Sequence, residues 1–78
     1  MNIKTTFETT DLALATAISL WLPITALDRN DPNKIVFHFN RESDLDSLIE
    51  TFWRRELKVD ALTYFNQIKL IKSRIYEK

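Results

Sequence analysis

The chain has 78 residues, a formal net charge of zero, and neither glycine nor cysteine. Without glycine it cannot form the loops of P-loop, dinucleotide-binding or nucleophile-elbow enzymes, and without cysteine it has no disulfide or thiolate metal site. The length predicts one domain, residues 1–78, which buries about 60–65% of its unfolded surface. Five Phe, two Trp and two Tyr can compensate by giving each core position a large apolar area.

The N-terminal segment leads into a first helix. Met1 to Glu8 has alternating apolar residues, which predicts a short edge strand or an extended lead-in. Thr9 or Thr10 is expected to cap the helix, and Asp11 suits its positive end. We expect the helix to end just before Pro23, because proline disfavours helical geometry in the residue that precedes it.

A long uncharged stretch runs through this helix and beyond it. Residues 12–27 carry no charged side chain, and Pro23 interrupts them. The stretch is shorter than the roughly 20 residues that span a bilayer, so we interpret it as a buried helix followed by a strand. No signal-peptide pattern stands at the N-terminus, and the cytoplasm is therefore the expected location.

Two strand-like segments follow. "ITALDR" and "KIVFHF" alternate in polarity, and in the second segment Ile35, Phe37 and Phe39 share one face. Between them, "NDPN" places Pro32 at the second position of a type I turn. The pattern predicts an antiparallel hairpin with a loop of about four residues.

Two helices complete the chain. Ser43 is expected to cap the second helix, which ends near Glu56, and Asp60 is expected to cap the third, which continues to about Tyr76. The second helix carries an apolar stripe formed by Leu45, Leu48, Ile49, Phe52 and Trp53. We therefore predict an α+β fold in which the hairpin, with or without a short N-terminal strand, packs with three helices.

The last helix combines an apolar face with several cations. At about 100° per residue, its predicted core face consists of Ala61, Tyr64, Phe65, Ile68, Ile71 and Ile75. Lys72 falls within this face, whereas Leu70 falls on the opposite, polar face.

Basic residues are concentrated in the last third of the chain. Residues 1–52 contain eight acidic and four basic side chains, and residues 53–78 contain three acidic and seven basic ones. Helix C-termini favour cations, which explains much of this asymmetry. The alternative is a phosphate-binding surface for nucleic acid, formed by Arg54, Arg55, Lys58, Lys69, Lys72 and Arg74.

The first helix is apolar on more than one side. Leu12, Thr16 and Leu20 lie away from the face that would enter the core. A helix that is apolar all round is either fully buried or used at an interface, and full burial is difficult in so small a chain. We therefore expect a protein interface that includes these three residues or, on the last helix, Leu70.

No arrangement of residues indicates catalysis. His38 is the only histidine, and its place on a strand is typical of a structural or solvent-facing residue. A group of acidic residues could be compared with a metal site, but its spacing does not match that of an EF-hand loop. The group consists of Asp28, Asp31, Glu42, Asp44 and Asp46. We expect no enzymatic activity, no metal and no cofactor.

Three segments, "TTDLALATAISLW", "FHF" and "LIETFWRRELKVDALTYFNQIKLIKSRIY", resemble a family of small bacterial and phage-type proteins classed as a domain of unknown function. The resemblance covers nearly the whole chain, and it implies a fold and a bacterial or mobile-element context but no activity. Its departure is Pro23, which stands where the family has a glycine after the first helix. The most specific matches are Val59, Asp60, Tyr64, Phe65, Asn66, Lys69, Lys72, Arg74 and Tyr76.

Three functions remain open from the sequence. The leading hypothesis is a non-enzymatic protein-interaction module, with a homodimer as one form of it. The first alternative is a nucleic-acid-binding accessory protein that uses the basic face of the last two helices. The second alternative is a phage-type inhibitor of a host protein, which the small size and the family resemblance favour.

Overall fold

The structure, a computed structural model, describes residues 5–31 and 33–76. The predicted α+β fold is confirmed, and the N-terminal segment does contribute a third strand. The elements in chain order are β1 (Thr6–Thr9), α1 (Leu12–Ser19), β2 (Ile24–Asp31), β3 (Lys34–Asn40), α2 (Leu45–Trp53) and α3 (Ala61–Ile75).

The three strands form one antiparallel sheet in the order β1-β3-β2. Both outer strands are antiparallel to β3, so they run parallel to each other and α1 connects one edge of the sheet to the other. Phe39 pairs with Phe7 on one side, and Phe37 pairs with Leu27 on the other. Because paired residues share a face, these side chains form one continuous apolar face across the sheet.

The core lies between this face and the helices. Phe37 and Phe39 are 1% and 0% exposed, as the alternation of β3 predicted. Burying a side chain of this kind contributes about 1.5–3 kcal/mol. The buried cluster comprises Leu14, Ala15, Ile18, Phe37, Phe39, Leu45 and Ile71, and so draws on the sheet and on all three helices.

Helix α1 is surrounded by the rest of the chain. Five consecutive residues, Leu14–Ile18, are buried, because α2, α3 and the sheet all contact this helix. The Thr16 hydroxyl is fully buried and donates a hydrogen bond to the Leu12 carbonyl oxygen at 2.7 Å. Placing Thr16 in a surface interface is therefore wrong. Leu12 and Leu20 are half-buried, and Leu12 packs against the core.

The ends of α1 differ from those predicted. The Asp11 carboxylate caps the helix by accepting the Leu14 N–H at 3.1 Å. The Thr9 hydroxyl accepts the Asp11 N–H at 3.1 Å instead of capping the helix itself. The helix ends at Ser19, earlier than the position of Pro23 suggested.

The hairpin is tighter than predicted. β2 extends to Asp31 and pairs there with Lys34, the first residue of β3. The Asp31 carboxylate accepts the Asn33 N–H at 2.9 Å, and this local bond supports the short connection. The predicted role of Pro32, like the predicted strand residues Met1 to Lys4, lies outside the described residues.

Helix α2 starts and ends at other residues than expected. Asp44 is its N-cap residue and forms no side-chain capping bond, so the expected cap at Ser43 is wrong. Asp46 in the first turn forms an ion pair with Arg41. The helix ends at Trp53, before the predicted Glu56.

The C-terminus of α2 is a Schellman motif without glycine. The Arg55 N–H donates to the Phe52 carbonyl at 3.0 Å, and the Glu56 N–H donates to the Thr51 carbonyl at 3.1 Å. Arg55 has a φ of 62°, the one positive φ among the described residues. A residue with a Cβ costs about 1–2 kcal/mol in this left-handed region, and glycine is the usual occupant.

Asp60 caps α3 as predicted. Its carboxylate accepts both the N–H and the hydroxyl of Thr63 at 2.8 Å. The Thr63 backbone bond, followed by its hydroxyl bond, lowers the pKa of Asp60 below its usual value of 3.8. The ionised carboxylate therefore stabilises the start of the helix.

Replacing the cap by Asp60→Ala should lower stability at neutral pH, and the difference from the wild type should shrink in acid. Because the folded pKa of Asp60 is lowered, its stabilisation is complete above 3.8 and is lost as pH falls through the folded value. Urea unfolding of both proteins across this range measures the difference. A difference that stays constant below pH 3.8 would contradict the ionic contribution.

The Arg55→Gly substitution should stabilise the protein, because it relieves the left-handed conformation. After allowance for the flexibility of glycine in the unfolded chain, we expect a gain of about 0.5–1 kcal/mol. For a domain of this size the melting temperature should rise by roughly 2–8 °C. The matched control is Arg54→Gly, which should destabilise because Arg54 has an ordinary φ of −78°. Equal effects of the two substitutions would contradict the strain at Arg55.

Candidate interaction surface

Several large apolar side chains stay exposed after the chain has folded. They are Trp21, Trp53, Val59, Leu62, Phe65, Leu70 and Tyr76. A single exposed apolar side chain is ordinary in a soluble protein. Here, however, all except Trp21 fall between the end of α2 and the end of α3, so the apolar surface is concentrated in the last third of the chain.

A concave surface lies between α2 and α3, and we call it the α2–α3 groove. It encloses about 500 Å³. Its lining residues are Ala17, Phe52, Trp53, Arg55, Leu57, Val59 and Tyr64. Ala17 belongs to α1 and is only 2% exposed, so its small side chain leaves space between the flanking helices.

Aromatic side chains form the α2 wall of this groove. The Phe52 and Trp53 rings meet edge to face, with their centroids 5.1 Å apart. Trp53 is 62% exposed, so the apolar stripe predicted for α2 is not buried over its whole length. Helices α2 and α3 both pack on α1, and neither covers this ring. Leu57 and Val59 also line the groove. The sequence did not predict this position for them, although apolar residues in a connection between helices are a detectable signal.

The opposite wall is held in place by hydrogen bonds between α3 and α1. The Tyr64 hydroxyl donates to the Ala13 carbonyl at 3.0 Å, and the Gln67 amide contacts the Ser19 hydroxyl at 3.1 Å. Partial burial, together with the charge of Asp11, raises the pKa of Tyr64 above its usual value of 10.0, so its hydroxyl remains a hydrogen-bond donor even at alkaline pH. The α3 wall is thus fixed before any partner binds.

Two neighbouring arginines at the end of α2 have different surroundings. Arg54 forms an ion pair with Glu50 at 2.6 Å. Arg55 lines the groove, and no carboxylate in residues 5–31 and 33–76 forms an ion pair with it. Lys58 is exposed in the connection to α3. The groove therefore has apolar walls and a cation that forms no ion pair with any described residue.

The outward face of α3 carries a second group of candidate residues. Phe65 is 57% exposed, so its assignment to the core is wrong, since the contact with α1 covers a narrower stripe of the helix. The Lys69 ammonium lies 5.3 Å from the centre of the Phe65 ring. Lys72 is also exposed, and Tyr76 is 77% exposed. Their helical spacing brings these four residues onto one face.

Leu70 faces a different groove, between α3 and β2. It is 62% exposed, in agreement with the sequence prediction, and it lines a cavity of about 380 Å³ with Ile24, Leu27 and Arg74. Neither Leu12 nor Leu20 lines this cavity. Of the predicted interface residues, Leu70 alone lines this cavity, and of the predicted cationic contacts, Arg55 lines the α2–α3 groove whereas Arg74 lines this cavity.

The one histidine of the chain lies on the sheet, beside a carboxylate of the neighbouring strand. His38 Nδ1 lies 3.6 Å from a carboxylate oxygen of Glu8 on the neighbouring strand. Within the described ranges, no three His, Asp or Glu side chains converge on a possible metal position. None of the described helices combines the length and the apolar character needed to cross a bilayer.

Comparison with known proteins gives one match. Neither a curated protein nor a solved structure matches the chain. The model of a domain of unknown function (DUF5659) matches residues 4–77 and so covers nearly the whole sequence, in agreement with the resemblance found in its segments. The chain therefore belongs to the DUF5659 family.

Proposed function

We propose that this protein is a non-enzymatic protein-interaction module that binds an apolar segment of a partner protein in the α2–α3 groove. The observation that carries the proposal is Trp53, a tryptophan 62% exposed on the wall of a groove of about 500 Å³. Apolar concave surfaces of this kind commonly mark binding sites.

The energetics favour binding at this position. A tryptophan has roughly 150–250 Å² of surface, so covering the exposed part of Trp53 is worth about 3 kcal/mol. Tryptophan is also enriched among the residues that dominate binding energy at protein interfaces. The hydrogen bond that holds Tyr64 to α1 reduces the conformational cost of binding, because one wall is already ordered.

Trp53→Ala should abolish partner binding and leave the fold intact. The matched control is Trp21→Ala, since Trp21 is 50% exposed but lies outside the groove. Both variants and the wild type would be used for affinity purification from nuclease-treated bacterial lysate, with quantitative mass spectrometry and light scattering of the eluates.

A protein recovered by the wild type and by Trp21→Ala, but not by Trp53→Ala, is the expected result. Light scattering tells whether this protein is a second copy of the chain or a different one. Equal recovery by all three proteins would contradict the assignment of the groove. Circular dichroism checks that each variant remains folded.

A second candidate function is single-stranded nucleic-acid binding by the outward face of α3. The observation that favours it is a row of exposed residues along that face, in which Lys69 and Lys72 lie between Phe65 and Tyr76. Aromatic rings offer stacking surfaces for bases, and lysines between them can contact phosphates. The neutral net charge of the chain weakens the long-range attraction that such proteins normally use.

Salt dependence tests this candidate. Binding of a fluorescent thymidine oligonucleotide would be titrated at increasing salt with the wild type and with the double variant Lys69→Gln/Lys72→Gln. Loss of two phosphate contacts should make the slope of log K against log salt shallower by about 1.4. Lys34→Gln, which removes one positive charge from the start of β3 and none from α3, is the control. Wild-type binding that is absent or independent of salt would eliminate this function.

A further inference from the structure

We infer that the segment bound in the α2–α3 groove carries a carboxylate beside its apolar side chain, and that Arg55 is the residue that binds this carboxylate. The inference rests on the proposed function, because it names the chemistry of the occupant of the same groove. Its basis is the conformation, the position and the charge environment of Arg55.

The conformation of Arg55 is unfavourable for an arginine. Its φ of 62° lies in the left-handed region, at a position of the Schellman motif where glycine forms the same two backbone hydrogen bonds without steric cost. The backbone motif by itself therefore gives no reason for a long cationic side chain at this position. Strained residues of this kind cluster at binding and functional sites.

The position of Arg55 supplies the missing reason. Arg55 lines the same groove as Trp53 and Tyr64, whereas the neighbouring Arg54 does not line it. An aromatic wall and a guanidinium in one groove together suit a ligand with an apolar side chain and an adjacent anion. The planar guanidinium can bind a carboxylate through two parallel hydrogen bonds.

The charges around Arg55 leave this guanidinium available. Among the described residues no carboxylate lies within 4.0 Å of it. Glu50 is occupied by Arg54, and the Asp60 carboxylate accepts two hydrogen bonds from Thr63. Glu56, the next residue, is exposed and forms no ion pair with Arg55. Charge complementarity therefore assigns an acidic group to the partner.

Selection from a displayed random-peptide library tests the inference even while the partner is unidentified. The wild type, Trp53→Ala, Arg55→Gly and Arg54→Ala would each be used as bait. Peptides that the wild type enriches and Trp53→Ala does not are the groove-dependent set. We expect this set to pair an aromatic or leucine residue with a nearby Asp or Glu.

Arg55→Gly should still enrich apolar peptides but lose the preference for acidic ones. A synthetic peptide from the groove-dependent set should bind Arg55→Gly about tenfold more weakly than it binds the wild type. Arg54→Ala should keep both the acidic preference and the affinity. Circular dichroism and urea unfolding of Arg55→Gly, which we expect to be at least as stable as the wild type, check that a loss of binding is not caused by unfolding.

The outcomes separate the inference from the function on which it rests. Groove-dependent peptides without acidic enrichment, or with an affinity that Arg55→Gly does not change, would overturn the role of Arg55 and leave the interaction module standing. If no peptide depends on Trp53, the groove itself is not a binding site and both proposals fail.

Discussion

The burial of α1 between the sheet and two helices is the constraint on which the rest of the structure depends. Leu14 and Ile18 pack with Phe37 and Phe39, and this contact joins α1 to β3, the central strand of the sheet. The helix is apolar on more than one side, so a sheet alone cannot cover it. Helices α2 and α3 supply the remaining cover, and Leu45 and Ile71 complete the core.

The groove is a consequence of the same packing. Because α2 and α3 are both positioned by α1, each directs apolar side chains toward the space between them, and Ala17 is too small to fill it. The exposure of Trp53 there follows from this arrangement of the helices and not from incomplete packing of the core. The surface proposed for binding and the buried cluster that stabilises the fold are therefore two results of one arrangement of helices.

The lack of glycine in the chain affects the conformation at the end of α2. Every other described residue has a negative φ, and the helix cap that most often uses glycine contains Arg55 instead. Stability and binding make opposite demands at this residue, since the backbone favours glycine and the groove gains a cation. Opposed demands of this kind are common where a protein uses a surface for recognition.

The sequence by itself determined the three helices, the hairpin, the core face of β3, the cap at Asp60 and the exposure of Leu70, because each depends on local spacing or on a neighbouring residue. It left open whether the N-terminal segment is a strand, and pairing with β3 decided that. Only the tertiary structure decided whether Thr16, Trp53 and Phe65 are buried or exposed. Helical periodicity shows which side of a helix is apolar, but not how wide a stripe its neighbours cover. Thr16 is buried because two helices flank α1, and Trp53 and Phe65 are exposed because no element of the described chain covers them.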